Sequence, residues 1–408
     1  MRIVWKSIRF FFSPLCLFSN AFEIIEMRIF EWKRTVTYCL MFIACGAVSG
    51  MLGPCLIYLA NRSDSSVAEI SVLFTARGIG NILGALVASR MYDRFSGHHY
   101  LVAMLVIMIS ATLLVPFSTA LWVLIGLFVL LGASEVSVNT GGNLMMLWLH
   151  REKVESYVTA LHLSYSLGAM VAPLIFVAMN GLGGSYGWGI WLIGLYSVLF
   201  PILLLKQKTP VLETSSSIQS DEPKKQTKLF GAFLFVIFLY VGIEVTVAGW
   251  ISTYGSLMGM SEDSAVVLAT WFFMAMSLGR LIFVPLLRWL ALVPCVYALM
   301  CVCAVSILGI NVSGSSEGML AMLVFGLGFG CSALFPMIFS FANRILTLTG
   351  KRTGIIFFCC GLGALVAPSL TGPLIDAFGV GSFPILLMIL FGFFVLSWTY
   401  VLKLAKSH

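Results

Sequence analysis

Charged side chains are scarce in this sequence: Asp, Glu, Lys and Arg make up 10% of its 408 residues, whereas hydrophobic residues make up 60%. A soluble globular protein carries about a quarter charged residues, so that class is excluded. The distribution of charge also excludes a nucleic-acid partner, because the net charge of +7 comes from basic residues in short loops rather than from one basic face. The composition indicates a polytopic membrane protein whose partner is the lipid bilayer.

Motifs of soluble catalysis and of metal binding are also missing. The sequence contains no GxSxG, P-loop or HExxH motif, and its ten cysteines include no CxxC pair. The glycine-rich stretch GIGNILG at 78–84 is no nucleotide fingerprint, because it lies within a predicted helix rather than after a strand. We therefore predict no catalytic residue, no metal site and no resident cofactor. Any driving force must come from an ion gradient, with Na⁺ or H⁺ as the coupling ion.

Apolar windows long enough to cross a bilayer, which takes about 20 helical residues, are abundant. Twelve of them predict an all-α membrane protein with twelve transmembrane helices in two six-helix pseudo-repeats. The first six form an N-terminal bundle over 35–205, and the last six form a C-terminal bundle over 229–403. The predicted spans are 35–60, 71–91, 99–117, 120–149, 156–180, 186–205, 229–255, 264–287, 289–310, 318–345, 352–378 and 381–403.

Polar segments flank and separate the bundles. Residues 206–228 form a predicted linker, since their Ser, Lys, Glu and Pro residues cannot form a core. Residues 1–34 are predicted to be a cytoplasmic tail, in which an interfacial helix and an upstream extension ending before Met27 are two open alternatives. Residues 404–408 form a second short tail.

The distribution of basic residues predicts the orientation. With the N-terminus inside, all but two of the 24 Lys and Arg residues fall on the inner side; the exceptions are Arg62, in an outer loop, and Arg77, within the second span. Cytoplasmic loops carry such an excess, so both termini are predicted to be cytoplasmic. We expect a monomer in the plasma membrane.

An internal repeat relates the two bundles. LGAMVAPLI at 167–175 matches LGALVAPSL at 362–370, an offset of 195 residues that also places Glu135 opposite Gly330. The scaffold therefore repeats while the acid does not, and in such transporters the solute and ion sites lie near the midplane between the repeats. We interpret the small residues of the two segments as sliding faces, which carry the fifth and eleventh spans past the eighth and second.

Glu135 lies in the middle of the fourth span, with no basic residue within a dozen positions. An ionised side chain at that depth costs about 3 kcal/mol even on lenient scales. Asn139 and Asn143 follow four and eight residues later, so the three polar groups share one helical face. This face is interpreted as a substrate or ion site; the alternative is a buried polar cluster that holds helices together.

Arg77, in the second span, is a possible partner for this acid. If the two residues pair, Glu135 stays ionised and its role is structural or switch-like. If they do not, burial favours the protonated acid, as a proton carrier requires. The sequence leaves both alternatives open, and we predict that Glu135 and Arg77 are the coupling residues.

The seventh span carries a second acid, Glu244, with Trp250 and Tyr254 toward its outer end. In one interpretation Glu244 binds a polar substrate and Trp250 stacks on an apolar sugar face. In the other, Glu244 bonds to a neighbouring helix and Trp250 belongs to the interfacial belt. These three residues, with Asn139 and Asn143, form the predicted substrate-binding set.

The loop after the second span resembles the signature loop of the major facilitator superfamily. SRMYDRFSGHH at 89–99 is similar to G-x-x-x-D-R-x-G-R-R, with Ser89 for the first glycine, one extra residue before Gly97 and two histidines for the basic pair. Together with the six-plus-six plan, this resemblance implies the fold of that superfamily. It also implies that Asp93 and Arg94 belong to a gating loop, as structural rather than substrate residues.

Within that superfamily, an ordered set of motifs resembles the fucose–proton symporters and the sodium-dependent glucose transporter-like proteins. The set comprises Glu135-x-x-x-Asn139, ALHLSYSLGAMVAP at 160–173, YVGIEVTVAGW at 240–250 and SLGR at 277–280. The resemblance implies transport of a monosaccharide, a hexose or deoxyhexose, with Glu135 as the coupling acid and Asn139 as a substrate contact. The first span has no acid to accompany Glu135, which leaves sodium coupling, proton coupling and uniport open.

Two alternative functions follow from the same residues. The chain could export amphipathic organic solutes, since an acid in a cavity also suits cations. It could instead be a non-transporting receptor or scaffold with the same fold. The intramembrane acids argue against a scaffold, because it gains nothing from charges that are costly within a membrane.

Overall fold

A computed structural model describes residues 31–150, 154–210, 227–286, 291–312, 316–346 and 350–406. Within these ranges the secondary structure is helical and no strand occurs. The predicted interfacial helix and the centre of the predicted linker fall on residues outside them.

The described helices follow one another through two halves of the chain. The N-terminal half contains α1 (Glu31–Gly50), α2 (Leu52–Arg62), α3 (Val67–Ile70), α4 (Val72–Arg94), α5 (Gly97–Leu114), a 3₁₀ turn (Val115–Phe117), α6 (Leu121–His150), α7 (Val154–Gly181), α8 (Tyr186–Ser197) and α9 (Leu199–Leu205). The C-terminal half contains α10 (Thr227–Leu257), α11 (Glu262–Leu286), α12 (Leu292–Val312), α13 (Glu317–Cys331), α14 (Leu334–Ile345), α15 (Gly350–Phe378) and α16 (Ser382–Lys406).

By length and apolar composition, the described helices form twelve spans when α1 and α2 are taken as one. These two helices meet at 46°, beside Pro54, which lacks the N–H that would bond to the Gly50 carbonyl. Three further spans consist of two helices each, namely α3 with α4, α8 with α9, and α13 with α14. The predicted all-α fold with twelve transmembrane helices is confirmed.

Helix packing divides the molecule into two bundles with an interface between them. Helices from opposite halves form this interface: α7 packs on α11, α3 and α4 pack on α15, and α2 packs on α10 and α11. Because the number of spans is even, Glu31 and Lys406 lie on the same side of the molecule, together with Lys206 after the sixth span. We call this the terminal side and the opposite side the far side.

The repeat predicted from the sequence is visible in the packing of backbones. A Cβ atom added at Gly168 would meet the carbonyl oxygen of Ile43, and one added at Gly363 would meet that of Phe238. Gly363 follows Gly168 by 195 residues, and Phe238 follows Ile43 by the same number, which is the offset of the sequence repeat. The two halves therefore share a scaffold in which the fifth span packs on the first and the eleventh on the seventh.

This packing corrects the predicted sliding faces. The helix α7 does contact α11, and α15 does contact α4. Gly168 and Gly363, however, pack inside their own halves. Only a residue without a side chain lets two helix backbones approach so closely. The small residues thus stiffen each half.

We expect Gly168→Leu and Gly363→Leu each to destabilise the protein by about 1–3 kcal/mol through overpacking, because the added atoms meet backbone that cannot change rotamer. Gly392→Leu is the control, since a Cβ atom there meets nothing within 4 Å and leucine favours helix more than glycine does. Thermal unfolding in detergent measures the effect. An unchanged midpoint in both interior variants would contradict this account of the scaffold.

Candidate functional site

The charges predicted within the membrane meet at one cavity of about 210 Å³ between the two halves. Its wall includes Arg77, Glu135 and Tyr165 from the N-terminal half, and Glu244 and Phe273 from the C-terminal half. Three charged residues that the sequence places on three different spans are thus brought to one place.

Arg77 and Glu135 form a bidentate ion pair in the wall of this cavity. Nη2 of Arg77 lies 2.7 Å and 2.6 Å from the two carboxylate oxygens, and Nε lies 3.0 Å from one of them. Arg77 also donates to the carbonyl and hydroxyl oxygens of Ser49, at 2.9 Å and 2.6 Å, while the Tyr165 hydroxyl donates to Glu135 at 3.4 Å. These bonds compensate the burial of both charges. The geometry matches the first sequence alternative, in which Arg77 and Glu135 pair; the role of Glu135 in coupling stays a prediction.

Glycines let α4 and α6 approach closely enough for this pair to form. A Cβ atom at Gly132 would meet the carbonyl oxygen of Arg77, and Cβ atoms at Gly80 and Gly84 would meet carbonyl oxygens of α6. Gly80 and Gly84 form a GxxxG motif, which packs transmembrane helices against each other. The GIGNILG stretch therefore sets the spacing between Arg77 and Glu135.

A second, looser arginine–glutamate pair reaches the cavity through Glu244, which lines it, whereas its partner Arg280 lies outside the wall. Nη2 of Arg280 lies 3.9 Å from the Glu244 carboxylate, and each side chain is 23% exposed. The Arg280 guanidinium also donates to the Ser332 carbonyl at 3.3 Å and to the hydroxyl of Ser166, which belongs to the N-terminal half. Arg280 thus bridges the two halves.

The two halves carry their acids at different positions of the repeat. The offset of 195 residues relates Glu135 to Gly330 and relates Ser49 to Glu244. In the N-terminal half the acid stands on the fourth span and a serine stands on the first. In the C-terminal half the acid stands on the seventh span, the counterpart of the first, so the cavity is asymmetric although its scaffold is repeated.

The sequence predicts no site role for Ser49, Ser166 or Arg280. Arg280 carried a signal, since it is a basic residue within an apolar span and part of the SLGR motif. The serines carried none, because hydroxyl side chains are common on helices and these two become informative only when their partners on other spans are known.

Asn139 and Asn143 lie one and two helical turns from Glu135 toward the terminal side. Both are partly buried, and the Asn143 amide donates to the side-chain oxygen of Asn139 at 3.1 Å and to its carbonyl at 2.9 Å. In the described part of the chain, the wall of the cavity on α6 is formed by Glu135 rather than by the asparagines. Their predicted contact with substrate stays a prediction.

Trp250 and Tyr254 are buried toward the far side. Trp250 is fully buried: its indole N–H donates to the Pro368 carbonyl at 2.9 Å, and its ring stacks on Phe74 of the other half at 5.5 Å. Tyr254 packs against Phe383 at 5.0 Å. Phe74 lines the cavity, and Trp250 stands behind it, so the structure brings neither predicted aromatic into the wall of the cavity.

The predicted gating loop lies at the terminal end of α4. Arg94 is exposed there, while the Asp93 side chain is outside what the structure describes. The adjacent His98 is buried, with Nε2 at 2.7 Å from the Tyr38 hydroxyl and Nδ1 at 3.0 Å from the Gln207 carbonyl. In place of the basic pair of the signature, this loop thus has a histidine bound to α1 and to the beginning of the linker.

Hydrogen bonds between the halves close the far side. The Asp263 carboxylate at the start of α11 accepts from the Asn180 amide at 3.2 Å and from the Tyr186 hydroxyl at 3.1 Å. Nearer the cavity, the Thr75 hydroxyl donates to Ser369 at 2.6 Å. These bonds hold the far ends of the two halves together in this conformation.

The sequence matches the model of the Major Facilitator Superfamily over residues 38–368. It is 24% identical to Sodium-dependent glucose transporter 1 of Danio rerio over 88% of this chain, and 25% identical to the proteins of the same name from Xenopus laevis and Rattus norvegicus over 83% and 89%. The matches cover 66%, 74% and 82% of these three relatives, respectively.

Solved structures with the same fold include two transporters. One is a bacterial homolog of the human lysosomal transporter Spinster, with a TM-score of 0.72 over 92% of this chain and 97% of the other. The second is a mutant of the nucleoside transporter NupG, with a TM-score of 0.71 over 92% and 99%. Both are 12% identical in sequence, so these likenesses concern the fold alone.

Arg77→Met would leave the Glu135 carboxylate buried without its cation. We expect a loss of about 3–5 kcal/mol in unfolding free energy, and recovery of most of it in the double variant Arg77→Met/Glu135→Met, because apolar replacement of both partners is close to neutral. A double-mutant cycle on unfolding in detergent measures this coupling, with Arg62→Met as the exposed control. Equal destabilisation of the single and double variants would show that the pair is not one compensated unit.

Proposed function

Because the chain belongs to the Major Facilitator Superfamily, we propose that it moves a monosaccharide, a hexose or deoxyhexose, across a membrane by alternating access. The solute would occupy the cavity between the halves. The terminal side would face the cytoplasm, as the basic residues predict, and the protein would act as a monomer in the plasma membrane.

The observation that carries this proposal is the balance of charge around the cavity. Arg77 is paired with Glu135, and Arg280 is paired with Glu244. The two positive and two negative charges sum to zero. A neutral solute rich in hydroxyl groups can donate to carboxylates and accept from guanidinium groups, whereas a cation would favour an unpaired acid. The volume of about 210 Å³ also lies below the roughly 300–1,000 Å³ of sites for drug-sized ligands, which favours a small polar solute over an amphipathic one.

The relatives support the same class of solute. Three of them are named sodium-dependent glucose transporters, and glucose is a small polar solute.

The predicted binding residues would contact the sugar in successive states. Glu244 lies in the wall of the cavity now. Asn139 and Asn143 would contact the sugar as it leaves toward the terminal side. Trp250 and Tyr254 would become accessible only in an opposite state, once the far-side contacts between the halves have separated.

Coupling would act through Glu135. In the present state Arg77 neutralises this acid. Arg77 also bonds to Ser49, which occupies the repeat position that Glu244 occupies in the C-terminal half. A sodium ion or proton would therefore compete with Arg77 for the carboxylate, and movement of Arg77 would alternate with ion binding. The pair then serves as a switch between states.

We expect labelled hexose to accumulate above equilibrium in proteoliposomes under an imposed sodium or pH gradient, each tested separately. Glu135→Gln should abolish accumulation and leave equilibration, because the neutral amide no longer binds the ion. Glu317→Gln, at an exposed acid in the first turn of α13, is the matched control and should accumulate like the wild type.

Other outcomes would replace parts of this proposal. Full accumulation by Glu135→Gln would remove that residue from coupling, and equilibration of wild type under either gradient would make the protein a uniporter. Flux of lipophilic cations without hexose flux would identify an exporter. Saturable thermal stabilisation by a ligand without any flux would identify a receptor.

A further inference from the structure

The two arginine–glutamate pairs at the cavity differ in what they leave available to a solute. Glu135 is bound by two nitrogen atoms of Arg77 at 3.0 Å or less and by the Tyr165 hydroxyl. A sugar hydroxyl would have to break one of these bonds to reach the carboxylate. The acceptor sites of Glu135 are therefore saturated within the protein.

The second pair is separated. The 3.9 Å between the Glu244 carboxylate and Nη2 of Arg280 exceeds the 2.7–3.2 Å of a hydrogen bond to nitrogen. Each side chain is also 23% exposed, compared with 9% for the Glu135 side chain. An acceptor and a donor of opposite charge thus face the interface between the halves without bonding closely to each other.

This arrangement matches the chemistry of a vicinal diol. One hydroxyl can donate to the carboxylate while its neighbour accepts from the guanidinium, and hydrogen bonds to charged groups are the stronger class in proteins. A hydroxyl of either kind satisfies its partner without adding charge, which keeps the cavity neutral. Amphipathic solutes without adjacent hydroxyl groups offer no such match.

The guanidinium is held in place from two other helices. Nε donates to the Ser332 carbonyl at 3.3 Å, at the break between α13 and α14, and Nη1 donates to the Ser166 hydroxyl. Ser166 is 1% exposed and belongs to the opposite half. This guanidinium, which stands beside Glu244 rather than in the wall of the cavity, is therefore positioned by both halves together.

We propose that Glu244 and Arg280 bind two adjacent hydroxyl groups of the transported sugar, and that Ser166 positions the Arg280 guanidinium from the other half. This inference rests on the proposed function. It makes Arg280 a specificity-determining residue, and it makes affinity depend on how closely the halves approach at Ser166.

Competition by a panel of monodeoxyhexoses against labelled hexose uptake tests this assignment. In the wild type, removal of either of two adjacent hydroxyls should weaken competition by about tenfold to a hundredfold, the value of a hydrogen bond to a charged group. Arg280→Gln and Arg280→Lys should raise KM for the parent hexose by about tenfold or more and remove the penalty at one of these positions. Glu244→Gln should remove the penalty at the other. Arg280→Lys keeps the charge beside Glu244 and so provides a variant with the ion pair preserved.

Ser166 acts through Arg280, and its variants separate positioning from folding. Ser166→Ala should raise KM and reduce the penalty at the Arg280 position while kcat and the unfolding midpoint stay unchanged. Ser166→Thr, which keeps the hydroxyl, should restore both values. Arg62→Gln, at an exposed residue to which no role in transport is assigned, is the control and should leave the panel unchanged.

Two negative results have different meanings. Absence of hexose flux in the wild type would overturn the proposed function and this inference with it. Hexose flux in the wild type, with unchanged KM and an unchanged deoxyhexose profile in Arg280→Lys and Arg280→Gln, would overturn only the assignment of Arg280.

Discussion

The need to compensate charge where no water is available governs this structure. An isolated Arg77 or Glu135 within a bilayer would cost several kcal/mol, and the protein meets that cost with a bidentate pair supported by Ser49 and Tyr165. These groups come from the first, second, fourth and fifth spans. One ion pair therefore fixes the relative positions of four of the six spans of its half. The glycines of α4 and α6 follow from it, since the pair forms only if these backbones nearly touch.

The second half keeps the scaffold and changes the chemistry. Gly168 on Ile43 and Gly363 on Phe238 are the same contact made twice, whereas Glu135 has only Gly330 as its counterpart. The C-terminal half supplies a different acid from a different span and leaves it less tightly paired. The N-terminal half thus holds a tightly bonded charge pair and the C-terminal half a looser one, which in the proposed function would be the pair that binds the solute.

The sequence predicts those parts of this structure that depend on one helix at a time. Span length, the repeat and the isolation of Glu135 are properties of single segments, and they predicted twelve helices and an intramembrane acid with Arg77 as its possible partner. It could not reach properties that need two helices at known positions. Trp250 illustrates this limit, because nothing along its own helix shows that Phe74 and the Pro368 carbonyl surround it. The roles of Ser49 and Ser166 likewise exist only across helix contacts.

The stiffness of each half has a mechanical consequence. Backbones in direct contact prevent the helices of one half from shifting against each other. A helix such as α6, which is about 45 Å long at 1.5 Å per residue, therefore moves as a rigid body. Rotation by about 10° around the level of the cavity would move its two ends by about 4 Å in opposite directions. The bonds of Asp263 at the far side then hold the two halves together far from the cavity. A given force at that distance exerts the largest torque about the level of the cavity.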